Sequence, residues 1–274
     1  MPKIQINKAN KHYATAGGSI QASMSTYDQV ISSNANGQNF KVVMPVDFSN
    51  GADAIVAEKS IKTIADLKGK KVAYPFSSID NLLVVFALNK VGLKETDIQS
   101  VDTTPENVPS ALLGGAIAGT TYEPTISKIL KVGNGKKYHV LMTSKEAPGL
   151  LTDVLYMDKA YIDKNPDTIR AVMKGYLDGL QYIKDKPIAA RKIIAKYLSA
   201  TEAEVKEQQA GVYNIPAVEM AGYFVKKNNS NSLYKTADLV NTILIARGQI
   251  KTPTKVEDTL DNRFALELQN VAKK

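Results

Sequence analysis

The chain has no cysteine and no tryptophan, and only two histidines and four arginines among its 274 residues. Without cysteine there is no thiol nucleophile, no disulfide, no thiolate zinc site and no cysteine-ligated cluster. It also leaves the redox compartment open, because a cysteine-free protein is at home on either side of a membrane. His12 and His139 lie far apart in sequence and are too few for a histidine-rich metal site. The longest apolar run, Leu82 to Leu88, has seven residues, well short of the roughly 18 a membrane span needs. Met1-Pro2-Lys3-Ile4-Gln5 has no apolar signal core, so no signal peptide is expected in this chain.

Arginine scarcity also bears on the net charge of +8. Groove readers of nucleic acids use arginine forks and clustered basic stripes. Here Arg170, Arg191, Arg247 and Arg263 are scattered, and the lysines are interspersed with Asp and Glu as on solvated helix faces. No nucleic-acid partner is expected. With 44% hydrophobic and 23% charged residues, the composition is that of a globular protein large enough for one domain or two.

Short strand-like runs occupy the first third: Ile4-Gln5-Ile6, Ala22 to Ser25, Lys41 to Pro45 and Ala54 to Ala57. The polar stretch Ser32 to Asn39 between them reads as loop. From residue 60 strand and helix alternate. A helical turn at Ile64–Leu67 closes at Gly69 and leads to a strand over Lys71–Tyr74. A helix from Ile79 to Val91 stops at Gly92, and strands follow near Ile98–Val101, Ile117–Tyr122 and His139–Met142. Helices from Glu106 to Leu113 and from Pro124 to Val132 separate them. That alternation predicts an α/β unit with a parallel sheet. The last 110 or so residues read as helical. Asn165-Pro166-Asp167 starts a helix with an apolar stripe from Ile169 to Ile183, Pro187 opens another, Thr201 with Glu204 forms a capping box, and Thr236–Arg247 ends at Gly248. Ala147-Pro148-Gly149, before a strand over Val154–Met157, is the candidate crossing between lobes.

Two segments echo each other. Gly17-Gly18-Ser19-Ile20 precedes Ser25-Thr26-Tyr27-Asp28, and Gly114-Gly115-Ala116-Ile117 precedes Thr120-Thr121-Tyr122-Glu123. Each would bring a short strand to a Thr-Tyr-acid end, and the carboxyl ends of parallel strands face the ligand crevice of such folds. Coincidence between two simple α/β connections stays open beside a repeat. The same rule points to Phe76-Ser77-Ser78 and to Thr103-Thr104-Pro105, where hydroxyls and free N–H groups could hold a polar or anionic group or merely cap helices.

Several stretches together resemble the substrate-binding proteins of ABC importers, of the nitrate/sulfonate/taurine and thiamine-pyrimidine-precursor type. These are Ile64 to Ala73 (IADLKGKKVA), Ser25 to Gln29 (STYDQ), Asp47 to Val56 (DFSNGADAIV) and Thr121 to Pro124 (TYEP), with Asp153-Val154-Leu155 and Asn165-Pro166 behind them. The similarity runs over roughly residues 14–265. It implies an α/β, two-lobed type II periplasmic-binding-protein fold with a helical C-terminal third packed on the first lobe. Lobe 1 would comprise residues 1–58 with 159–274, and lobe 2 residues 59–158. The implied function is capture of a small polar or anionic molecule in an interlobe cleft, for delivery to an ABC permease. The implied location is periplasmic or otherwise extracytoplasmic.

Three departures accompany the resemblance. Family chains carry a strand, a ligand-contacting loop and a helix ahead of the segment resembling Ile4 onward, a unit of roughly 30–40 residues expected to be absent here. The family's G-x-[IV]-D-A pattern has lost its Asp at Gln21 and Ile117. No signal peptide or lipobox cysteine is expected in the chain. These departures motivate an alternative: a diverged or engineered scaffold that has lost transport binding and self-associates as a homo-oligomer through an open sheet edge. An enzyme on the same fold is a third reading, disfavoured by the absence of Cys and of His within the motifs. The expected ligand contacts are Ser25, Thr26, Tyr27 and Asp47 from the first lobe, and Phe76, Ser77, Ser78, Thr104, Tyr122 and Glu123 from the second. Tyr27, Phe76 and Tyr122 would form apolar walls, and the acids would meet an amine or amidine group. No catalytic residue, metal ligand or cofactor is expected.

Overall fold

The computed structural model describes residues 20–76 and 79–272. In chain order it begins with β1 (Ala22–Thr26), α1 (Tyr27–Ala35), β2 (Phe40–Ser49) and β3 (Asp53–Glu58). The regular alternation follows: β4 (Lys71–Tyr74), α2 (Ile79–Lys90), β5 (Gln99–Asp102), α3 (Val108–Leu113), β6 (Ala118–Tyr122), α4 (Thr125–Leu130) and β7 (Tyr138–Thr143). Strand β8 (Thr152–Asp158) then leads into α5 (Lys159–Lys164), α6 (Pro166–Asp185), α7 (Pro187–Leu198) and α8 (Glu202–Ala210). The chain closes with β9 (Val212–Asn214), α9 (Ala217–Met220), α10 (Leu233–Ala246) and α11 (Arg263–Ala272).

The chain divides into two compact units, the first made of Met1–Asp47, Thr152–Gly179 and Ile215–Lys274, the second of Phe48–Leu151 and Leu180–Asn214. Helices α7 and α8 thus group with the second unit, and the helices after residue 215 with the first.

In the first unit, β1 pairs antiparallel with β8, Ala22 opposite Met157 and Thr26 opposite Asp153. On its other side β8 is paired with β2. Val42, Val43, Met44 and Val46 of β2 are all buried, the pattern of a strand covered on both faces. Tyr27, Val30 and Ile31 of α1 are buried with Leu233, Ala237 and Val240 of α10, the helix packed against it. The polar stretch read as loop is partly helix, because α1 continues to Ala35. Its last turn is held from outside: Asn34 Nδ2 donates to the Phe40 carbonyl and the Phe40 N–H to Asn34 Oδ1, each at 2.9 Å. Low intrinsic helix propensity of Ser and Asn is overridden by that pair.

In the second unit the strand order is β5-β4-β6-β3-β7. Strand β4 runs parallel to β5 and β6, but β3 lies antiparallel to both β6 and β7. The sheet is therefore mixed, which corrects the all-parallel expectation. A parallel neighbour needs a crossover of a dozen or more residues. Strand β3 enters this sheet from β2, a strand of the other sheet, after a three-residue connection, so no crossover helix within the sheet sets its direction. Helix α2 is apolar nearly all round, with Leu82, Leu83, Val84, Ala87 and Leu88 buried. Gly92, at φ 75°, ends it in a Schellman arrangement, with Leu93 N–H on the Leu88 carbonyl (3.0 Å) and Gly92 N–H on that of Asn89 (3.1 Å). Gly119 of β6 sits where a Cβ would come within 2.6 Å of Val108 Cγ1 and 2.9 Å of the Ala73 carbonyl oxygen, so α3 packs close to the sheet. The capping box forms as expected: Thr201 N–H donates to Glu204 Oε2 (2.9 Å) and Glu204 N–H to Thr201 Oγ1 (3.2 Å).

Candidate functional site

In the second unit β4, β5 and β6 are parallel, so their carboxyl ends share one edge. Phe76, two residues beyond β4, donates its backbone N–H to Asp102 Oδ1 at 3.0 Å, and its ring lies 5.3 Å from that of Tyr74. Thr104 follows β5 and precedes a single 3-10 turn, Pro105–Asn107. At the end of β6 the Tyr122 hydroxyl donates to Glu106 Oε1 at 2.5 Å, and Thr121 Oγ1 donates to the Pro105 carbonyl at 2.8 Å. The bond from Tyr122 holds the Glu106 carboxyl below its ordinary pKa against a smaller opposing effect of burial, with Thr104 adding to it. The edge thus joins Phe76 to Asp102, and Thr104 to Tyr122 through Glu106. Ser77 and Ser78 lie outside the described residues.

Glu123 has a structural role in the fold. Its carboxylate accepts from the Ser127 N–H and the Ser127 hydroxyl, both at 3.1 Å, and so caps α4. A carboxylate at a helix start is satisfied by the free N–H groups there.

In the first unit Thr26 stands opposite Asp153, and Asp47 lies near the end of the neighbouring strand β2. Tyr176 of α6 donates to the Val46 carbonyl at 3.2 Å. Its phenol is pushed above the usual tyrosine range, first by burial and then by the negative charges of Asp47 and Asp153. Ser25, Thr26 and Asp47 are half-buried, so the expected hydroxyls and acid do meet at one edge, together with Asp153 and Tyr176.

Tyr27 does not belong to that edge. It is 1% exposed, and its hydroxyl lies 2.6 Å from Thr259 Oγ1. The expectation that it forms a ligand wall fails because α1 starts at Tyr27 itself, and the first helical residue turns inward. Asp28 beside it is also buried. Its Oδ2 accepts from Gln29 Nε2 at 3.0 Å, whereas Oδ1 has no partner, and burial raises its pKa. The two Thr-Tyr-acid segments therefore differ in structure. One starts a helix and feeds the core, and the other ends a strand and faces its unit's surface.

Asp102, Glu106, Asp153 and Tyr176 were absent from the expected contacts. Asp102 and Glu106 bracket the Thr103-Thr104-Pro105 junction already singled out, so a wider window around it would have caught both. Asp153 lay within the quoted Asp153-Val154-Leu155. Only pairing across β1 and β8 gives it Thr26 as a neighbour. The local sign is acidic at both edges, although the chain carries a net +8. A polar groove of about 390 Å³ in the first unit, with Asn34, Lys41, Thr254 and Asp258 in its walls, includes none of the expected contacts. Among the described residues no group of three or more His, Cys, Asp or Glu could hold a metal ion, and no helix is long and apolar enough to cross a membrane.

A family model described as "NMT1/THI5 like" matches residues 4–190. The chain belongs to that family. Among curated relatives, a putative binding protein of Brucella abortus (strain 2308) is 24% identical over 223 residues, 76% of this chain and 64% of the relative. The chain thus spans under two thirds of that relative's length. The taurine-binding periplasmic protein of Escherichia coli K12 is 29% identical over 136 residues, 47% of this chain and 40% of that one. The crystal structure of the periplasmic aliphatic sulphonate binding protein SsuA from Escherichia coli aligns with a TM-score of 0.74 at 21% identity, covering 91% of this chain and 78% of that one. That likeness shows the periplasmic-binding-protein fold. The desulfurization enzyme DSZB shares it, with a TM-score of 0.61 at 12% identity over 92% of this chain and 86% of that one.

Proposed function

We propose that the chain is a solute-binding protein that captures a small polar or anionic molecule for an ABC importer on the extracytoplasmic side of a membrane, and that it is not an enzyme. The observation that carries this reading is the edge of β4, β5 and β6, where Phe76, Thr104, Tyr122 and Glu106 gather at strand ends, the place where open α/β sheets receive ligands. Membership of the NMT1/THI5-like family and the taurine- and sulfonate-binding relatives support it. The contacts proposed are Ser25, Thr26 and Asp47 with Asp153 from the first unit, and Phe76, Ser77, Ser78, Thr104 and Tyr122 with Glu106 from the second. The lobes proposed remain residues 1–58 with 159–274 and residues 59–158, although the compact units divide differently and group Leu180–Asn214 with the second.

The acids at these edges favour a ligand that carries an ammonium or amidinium group beside its polar end. A carboxylate facing a bare sulfonate would repel it, whereas an aminosulfonate brings an ammonium group that an acid can pair with. Isothermal titration with taurine, and with ethanesulfonate as the analogue lacking the amine, tests both levels. Binding of taurine with weaker binding of ethanesulfonate is expected. Equal affinity would remove the role given to the acids. A broad panel of small solutes with no heat and no thermal stabilisation would overturn the binding function itself. With no cysteine in the chain, a thiol-based reaction is unavailable to it.

A further inference from the structure

Helix α7, Pro187-Ile188-Ala189-Ala190-Arg191-Lys192-Ile193-Ile194-Ala195-Lys196-Tyr197-Leu198, contains no acidic residue. At about 100° per residue its residues divide cleanly. Ala190, Ile194, Ala195 and Leu198 fall on the half that packs in the second unit, and α8 is the helix it packs against. Ile188, Lys192, Lys196, Ala189, Ile193 and Tyr197 fall on the other half. There Ile188 is 61% exposed, Ile193 60% and Tyr197 47%. Tyr182, shortly before the helix, is 39% exposed, with the Lys186 ammonium 5.6 Å from its ring centre.

We propose that this exposed half of α7 docks on an anionic membrane surface. Two isoleucines and a tyrosine interleaved with lysines, on a helix without acids, form a short basic amphipathic face. Such a helix lies in the headgroup region with its apolar side chains immersed and its lysines reaching up to lipid phosphates. The acid nearest in sequence, Asp185, ends α6 and accepts from Gln181 Nε2 at 2.8 Å, and Glu202, Glu204 and Glu207 belong to α8, the helix against which α7 packs, so the exposed half of α7 itself carries lysines and no acid. A two-fold contact centred on this face would gather the lysines of both copies with no acid on either α7 to offset them, which disfavours a second copy as the occupant. The proposal is independent of which solute the protein carries.

Flotation of the full chain with vesicles tests it. Vesicles of phosphatidylglycerol in phosphatidylcholine are expected to carry the protein up at low salt, and vesicles of phosphatidylcholine alone to leave it behind. The pair Lys192→Glu and Lys196→Glu should lower the bound fraction by about tenfold or more, since each basic residue near an anionic surface contributes about a factor of five. Ile188→Ser with Ile193→Ser should also weaken binding at the same salt. A control pair on the first unit, Lys235→Glu with Lys251→Glu, should not. All three variants alter exposed side chains, and unchanged circular dichroism will show that they fold. Absence of flotation, equal loss in the control pair, or binding indifferent to the isoleucines would each overturn the proposal. So would a dimer in light scattering that Ile188→Ser with Ile193→Ser dissolves, which would assign the face to a second copy.

Discussion

The Tyr27 hydroxyl and Thr259 Oγ1 lie 2.6 Å apart, joining the start of α1 to a turn far along the chain. Thr259 Oγ1 already donates to the Val256 carbonyl at 2.7 Å, so Tyr27 is the donor and Thr259 the acceptor. Tyr27→Phe is expected to cost about 1 kcal/mol in urea unfolding, and Tyr27→Ala about 3–5 kcal/mol through loss of a buried ring. Solute affinity should hold in Tyr27→Phe. Weakened affinity at unchanged stability would return the phenol to the ligand site.

Glu106 and Tyr122 predict a pH effect. The bond from Tyr122 lowers the folded-state pKa of Glu106, so its stabilisation is present above the ordinary glutamate value and fades as pH falls through the lowered one. Its size is small, because the carboxyl is largely exposed to solvent screening. Tyr122→Phe should move the Glu106 midpoint up toward the ordinary value in carboxyl-carbon NMR. A midpoint that stays low would place the cause elsewhere than in the phenol.

Asp28 should titrate in the other direction. Burial raises its folded-state pKa, so the stability tied to it is fully present below the ordinary aspartate value and lost as pH rises through the raised one. Asp28→Asn keeps an acceptor for Gln29 and removes the charge. Urea midpoints measured from mildly acidic to neutral pH should fall less steeply in the variant than in the parent. Parallel curves would mean that another group sets the slope.

Glu123 separates a cap from a contact. Glu123→Ala is expected to cost about 1 kcal/mol of stability by freeing the first turn of α4. Solute affinity, corrected for the unfolded fraction, should not change. A large affinity loss in a variant of unchanged stability would make Glu123 a ligand contact.

Much of the second unit was legible from its sequence, because each element there has its own punctuation. Lys71–Tyr74 and the end of α2 fall where an apolar run meets Pro75 and where Gly92 stops a helix. The reversal of β3 was not legible. Nothing in Asp53–Glu58 distinguishes a parallel from an antiparallel partner when both faces are buried. The end of α1 was hidden for a related reason: the Asn34 bonds that hold it come from the next strand. The candidate site divided in the same way. Strand ends pointed to Phe76, Thr104 and Tyr122, whereas the inward turn of Tyr27 depends on Thr259, and the gathering of Asp47, Asp153 and Tyr176 depends on strand pairing and a distant helix.

The pairing of β1 with β8 also fixes an order of events during synthesis. Strand β1 leaves the ribosome early, but its partner is added only after the whole of Phe48–Leu151 has been made. Until then β1 lacks its β8 partner, and the first unit still awaits Ile215–Lys274. The second unit has all of its chain once Asn214 is out, so it can close first. A nascent chain arrested before Thr152 would carry β1 without the β8 ladder, a species exposed to mispairing with its neighbours.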